Sequence, residues 1–253
     1  MRAETPPPLD RTLLRIGAGG AILGVILQVA AGTGSGSRPN SSDAEELLRW
    51  LAGRPDWYWP AIYFGFMFGA LFWVGAFVAL TASLNRGPSW ALARLGMAAI
   101  IAGVTMHIVD GTLSGVGLRL VADDWAAASG ADQAAVLRDG ETLLAVLQGT
   151  WASVITFYHG LPFLLMGLAV LLSRRYPAWL GWIGVVGGAG SLIAGMAMFA
   201  TDDAVPDAFF VAGALVISVF MLVVGILLWD LAGQAAPAGN GDRAAGVAGA
   251  DAR

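Results

Sequence analysis

Residues 59–84 read WPAIYFGFMFGALFWVGAFVALTASL, and none of them is charged. A helix rises about 1.5 Å per residue, so about 20 apolar residues cross a hydrocarbon layer about 30 Å thick. This run exceeds that length. Its reading decides the solvent, and the solvent is lipid.

Working outward with the same ruler gives five further spans. The set is Leu13–Thr33, Trp59–Leu84, Trp90–Val109, Leu143–Ser173, Pro177–Ala200 and Ala208–Trp229. The expected fold is all-α, an integral membrane bundle of six transmembrane helices over residues 1–232. Residues 233–253 form an Ala/Gly-rich tail expected to be disordered. Composition agrees: 57% of the 253 residues are hydrophobic, 13% are charged, and the mean hydropathy is +0.69. Soluble domains carry about 25% charged residues. The absence of cysteine excludes disulfides, thiol nucleophiles and Cys-ligated metals. A net charge of −4 argues against nucleic acid as a partner. The bilayer is the partner the composition demands.

Arginine, which supplies all 14 basic residues, sets the orientation. Suppose the N-terminus, the 84–94 turn, the 173–178 turn and the C-terminal tail share one side. That side then holds nine arginines and five acids, and the other side five arginines and thirteen acids. The basic side is expected to be cytoplasmic, with both termini there and the acidic loops outside a plasma membrane. Trp57, Tyr58 and Trp59 mark the outer edge; Trp90, Tyr176, Trp179 and Trp229 mark the inner one. The first span also resembles a signal peptide, but its apolar stretch outruns a usual signal core, so it is read as a helix.

Outside the membrane, Ser42-Asp43-Ala44-Glu45 looks like a capping box. It opens a short surface helix over 42–52, with Ala44, Leu47, Leu48 and Leu51 on one face. Residues 111–141, starting with Gly111, Gly115 and Gly117, are expected to form a small extracellular cap. The turn Leu84-Asn-Arg-Gly-Pro88-Ser-Trp90 echoes Ser173-Arg-Arg-Tyr-Pro177-Ala-Trp179, a faint internal repeat of two hairpins. Gly20 and Gly24, like Gly65 and Gly69, share a helical face and are read as packing contacts.

Ionisable groups below the interface are the informative residues, because each costs about 2.5–3.5 kcal/mol to insert. Both histidines of the chain are such groups. Counting from Arg94 and Arg174 places His107 and His159 at one level, roughly 8–10 Å below the outer surface. Asp110 lies one turn above His107 on the same face. Pro162 is expected to loosen the helix beside His159. The expectation is an outward-opening polar pocket among spans 3, 4 and 5. His107, Asp110 and His159 are the candidate catalytic or binding groups, and Gln148, Trp151, Tyr158 and Asp202 complete the ligand-binding set.

Several chemistries suit that set. It can bind an amphiphilic, lipid-like molecule. Two imidazoles and a carboxylate can hold a hydrolytic metal, or perform acid–base chemistry on a lipid or terpenoid. Two histidines at equal depth can also clamp a non-covalent haem. Against these stands the plain alternative that His107 and Asp110 satisfy each other. Transport ranks lower, because no ionisable group lies at the bilayer midplane.

From His159 the chain reads HGLPFLLMGLAVLLSRRYPAWLGWIG. This stretch resembles the signature half of a group of uncharacterised bacterial integral membrane proteins, a domain of unknown function. Its members similarly place a long outer loop after span 1 and a Gly-rich helix after a Leu-Pro-x-x-Leu-Gly-like turn. Here that turn is Tyr176-Pro177-Ala178-Trp179-Leu180-Gly181, and the resemblance covers spans 2–5. It implies a polytopic helical bundle and supplies no reaction. Membrane-bound terpene cyclases share the size and helix count, but no motif matches them.

Overall fold

The computed structural model describes residues 10–36, 38–39, 43–84, 87–200 and 207–235. Among these, every regular element is helical. The helices are α1 (Arg11–Ser35), α2 (Ala44–Ala52), α3 (Tyr58–Ser83), α4 (Gly87–Thr112), α5 (Leu118–Ala127), α6 (Gly130–Val154), α7 (Leu161–Leu172), α8 (Ala178–Ala200) and α9 (Asp207–Gln234). Two π-helical turns, Leu113–Gly117 and Ile155–Gly160, join α4 to α5 and α6 to α7 without a break. Among the described residues six rods are therefore long and apolar enough to cross a membrane, as expected. The chain is an all-helical, multi-pass membrane protein.

The rods form a closed ring in chain order. α1 packs on α3, α3 on α4, α4 on α7, α7 on α8, α8 on α9, and α9 returns to α1. Lipid does not drive helices together as water does, so close backbone approach carries much of the packing. On α1, a Cβ at Gly24 would lie 2.8 Å from the Gly69 carbonyl oxygen of α3. The middle of the ring is aromatic: Trp73, Phe77, Tyr158, Phe163 and Phe220 are all buried.

Two rods are far longer than a bilayer needs. Gly87–Ala127 and Gly130–Leu172 span 41 and 43 residues, about 60 Å each at 1.5 Å per residue. The cap over 111–141 is therefore not a separate loop structure but the upward continuation of spans 3 and 4. No proline interrupts residues 89–161, so nothing stops either helix until Ala128–Ser129. The chain reverses there at Gly130, whose φ of +57° suits glycine. Gly111 and Gly115 do not start a loop. They let α3 approach: a Cβ at Gly115 would lie 2.7 Å from Tyr63 Cβ.

The surface helix appears as α2. Its cap is Asp43, whose carboxylate accepts from the Glu45 N–H at 2.9 Å; Ser42 lies outside the described residues. Leu47, Leu48 and Leu51 bury against Leu118, Ala122 and Leu147. Arg119 pins this layer. Its guanidinium donates to the Leu51 and Arg54 carbonyls at 2.7 and 2.9 Å and to Asp56 and Asp123. α9 runs to Gln234, slightly past the expected start of the tail. The rest of that tail, from residue 236, lies outside the described residues.

At the opposite end, the two repeated turns meet. The Ser83 and Tyr176 hydroxyls share a 2.6 Å hydrogen bond, and Arg175 donates to the Ser83 carbonyl at 3.3 Å.

Candidate functional site

Pro162 lacks the N–H that would bond the Tyr158 carbonyl, and its ring crowds that carbonyl. The π turn Ile155–Gly160 takes up the misfit just before it. Tyr158 and His159 lie on this widened turn. α4 is drawn hard against it at Gly103, where a Cβ would lie only 2.2 Å from the Phe157 carbonyl oxygen. One turn further along α4, His107 therefore reaches the Tyr158 ring.

The geometry that results is a ring stack. The His107 imidazole lies parallel to the Tyr158 phenol, 4.8 Å between centroids and 9° between planes. Trp73 stacks on Tyr158 as well, at 5.8 Å and 21°. His159 meets the same phenol edge-on at 4.5 Å. His107 is 3% exposed and His159 5%. The Tyr158 hydroxyl accepts from Gln28 Nε2 of α1 at 2.9 Å, and that amide also donates to the Phe66 carbonyl at 3.2 Å.

Above the stack, Asp110 is 2% exposed and accepts from Thr150 Oγ1 of α6 at 2.6 Å. The Arg38 guanidinium, over the Trp59 ring at 5.9 Å, lies within electrostatic reach of Asp110. His107 and Asp110 thus share a face but make no hydrogen bond to each other. Neither ring nitrogen of His107 has a hydrogen-bond partner among the described residues, and neither does Trp73 Nε1. The Phe66 carbonyl faces the His107 ring outside hydrogen-bonding geometry.

Of the expected site residues, the fold gathers His107, Asp110, Tyr158 and His159. Trp151 is half-buried against the main core nearby. Gln148 is exposed and takes no part in the cluster. Asp202 lies outside the described residues. Gln28 and Thr150 belong to the cluster but do not stand out in the sequence. Gln28 carries a signal in being an amide inside an otherwise apolar span. Among the described residues, no three His, Asp or Glu side chains gather closely enough to hold a metal ion. The two imidazoles pack on Tyr158 instead of facing each other across a slot for a porphyrin.

Beside the cluster, Phe64, Met67, Phe68 and Leu71 of α3 and Ile108 of α4 line a shallow apolar cleft of about 150 Å³. Ile108 follows His107 in the chain, and Met67 follows Phe66. The cleft and the polar cluster therefore share the α3–α4 seam, one on its membrane side and one inside.

No curated protein and no solved structure matches the chain significantly. A family model does, over residues 16–232, almost the whole helical part, and it is described as a domain of unknown function, DUF4386. The chain belongs to that family.

Proposed function

We propose that this plasma-membrane protein binds an amphiphilic, lipid-like molecule at the α3–α4 seam. Its polar head engages His107 beside Asp110, and its chain follows the cleft past Met67 and Ile108. The observation that carries this reading is His107, buried in the bundle with neither ring nitrogen in a well-formed hydrogen bond and only the Phe66 carbonyl near the ring. A buried polar group left unmet costs about 1–3 kcal/mol, and a hydroxyl or carbonyl on a ligand would recover it. Asp110, already held by Thr150, offers an acceptor one turn away. The arginine distribution supports placing the cluster near the outer surface, with both termini cytoplasmic.

The experiment is organic extraction and mass spectrometry of protein purified in mild detergent. The wild type should retain an amphiphile near one per chain, and His107→Leu with Asp110→Asn should lose it while keeping its helical circular dichroism. A wild type that carries nothing beyond what the variant carries ends the proposal.

The same geometry favours a second reading, acid–base chemistry on that ligand. An imidazole with free nitrogens beside an anchored carboxylate can move a proton. A product in the wild-type extract that is replaced by its precursor in the His107→Leu extract would distinguish enzyme from binder.

A further inference from the structure

The basic end of the bundle contains a second recess, unrelated to the cluster above. It encloses about 400 Å³ and is lined by Ser83, Leu84, Ser89, Leu172, Ser173, Arg174 and Arg175. Its frame is the meeting of the two repeated turns. The Ser83–Tyr176 hydrogen bond and the Arg175–Ser83 contact hold one turn to the other. Burial pushes the Tyr176 phenol above its ordinary pKa, outweighing the opposing pull of Ser83 and Arg175, so this latch stays protonated at neutral pH.

Among the described residues the lining is cationic and holds no carboxylate. Among the described residues neither Arg174 nor Arg175 is ion-paired, although Arg119 and Arg49 both are. The Ser83 and Ser173 hydroxyls donate to carbonyls of their own helices at 2.6 and 2.9 Å. The donors left for a ligand are therefore the two guanidiniums. A planar guanidinium suits a phosphate, which it can grip through two parallel hydrogen bonds.

Location selects the kind of phosphate. The recess lies where α3 and α7 end, at the edge of the apolar layer, and Leu172 on its rim is 57% exposed. Trp90 and Trp179 are exposed in the helix starts just past the two turns, as interfacial aromatics are. A soluble anion would have no use for that apolar rim. Two unpaired arginines favour a net-negative headgroup over a zwitterionic one, as basic pockets between membrane helices do.

We infer that this recess binds the phosphate of an anionic glycerophospholipid. Arg174 and Arg175 grip the phosphate, and the acyl chains run down the bundle past Leu172. The inference is independent of the ligand proposed at the α3–α4 seam.

Native mass spectrometry of the full-length protein in detergent tests it, with phosphatidylglycerol and phosphatidylcholine added at equal concentration. The wild type should retain phosphatidylglycerol about tenfold more strongly, a difference of about 1.4 kcal/mol. The Arg174→Gln/Arg175→Gln variant should lose that preference, and millimolar inorganic phosphate should not displace the lipid. If the double variant fails to fold, Arg174→Gln alone serves, because Arg174 makes no hydrogen bond among the described residues that folding would miss; it should lower the preference severalfold. Equal retention of the two lipids by the wild type overturns the inference. So does an unchanged preference in the folded variant, and so does full displacement by phosphate, which would make this a site for a free anion.

Discussion

Gln28 is the residue on which the interior of the ring turns. It is a neutral amide on α1, yet it satisfies two groups on other rods, the Tyr158 hydroxyl and the Phe66 carbonyl. Replacing it with Leu leaves the Tyr158 hydroxyl buried with no partner, at a cost of about 1–3 kcal/mol. Removing that hydroxyl as well should relieve much of the loss. We therefore expect Gln28→Leu to lower the unfolding temperature in detergent, and Gln28→Leu/Tyr158→Phe to be more stable than the sum of the single changes. Strict additivity of the three thermal shifts would show that the two groups are not coupled. The sequence announces the histidines and Asp110 because a charge inside an apolar span is costly. Gln28 and Thr150 are quieter, since neutral polar groups insert cheaply and blend into a span. That difference explains why His107, Asp110 and His159 were legible and Gln28 and Thr150 were not.

At the scale of elements, helical phase is what sequence reading misjudges. Gln148 lies about three turns before His159 at 3.6 residues per turn, so an uninterrupted α-helix puts both on one face. The π turn at Ile155–Gly160 inserts extra backbone and rotates everything before it, which leaves Gln148 exposed and Thr150 on Asp110. Pro162 signals a disturbance without giving its size. The glycine run Gly111–Gly117 misleads in the opposite direction. Glycine marks loops in water but close helix contact in lipid, and here α4 continues through it into α5. The reversal instead falls on Gly130, the exposed residue with φ +57°. A Cβ there meets no neighbour, so substitution tests backbone strain alone. Gly130→Ala should cost about 1–2 kcal/mol, read as a lower thermal midpoint. Gly130→Asn should recover part of it, since asparagine tolerates that conformation. Equal losses for the two variants would mean that the turn is not limiting.

For the whole molecule, the six spans were legible because lipid imposes a length and a composition that nothing else imitates. What a single sequence does not spell out is the closed ring, which depends on which glycine meets which backbone. Orientation is a property of the entire chain and rests here on where arginine lies. The lack of cysteine makes it easy to test, because any thiol introduced is the only one present. With Asp132→Cys, in the tall α5–α6 cap, a membrane-impermeant maleimide should label intact cells. With Ala178→Cys, beside the basic recess, labelling should appear only after lysis. The reverse pattern would invert the proposed orientation and move the His107 cluster to the cytoplasmic half.

Ring closure also has a consequence during synthesis. α9 completes the circle by seating Gly225 against Ala21 and Ile22 of α1, and Val216 against Gly187 of α8. The first of these seams joins α9 to α1, so the ring cannot close until translation has passed Gly225. Before then, five helices would stand in the bilayer as an open crescent. A ribosome stalled ahead of Asp207 would therefore leave an unsealed flank, the kind of lesion that membrane quality-control proteases recognise.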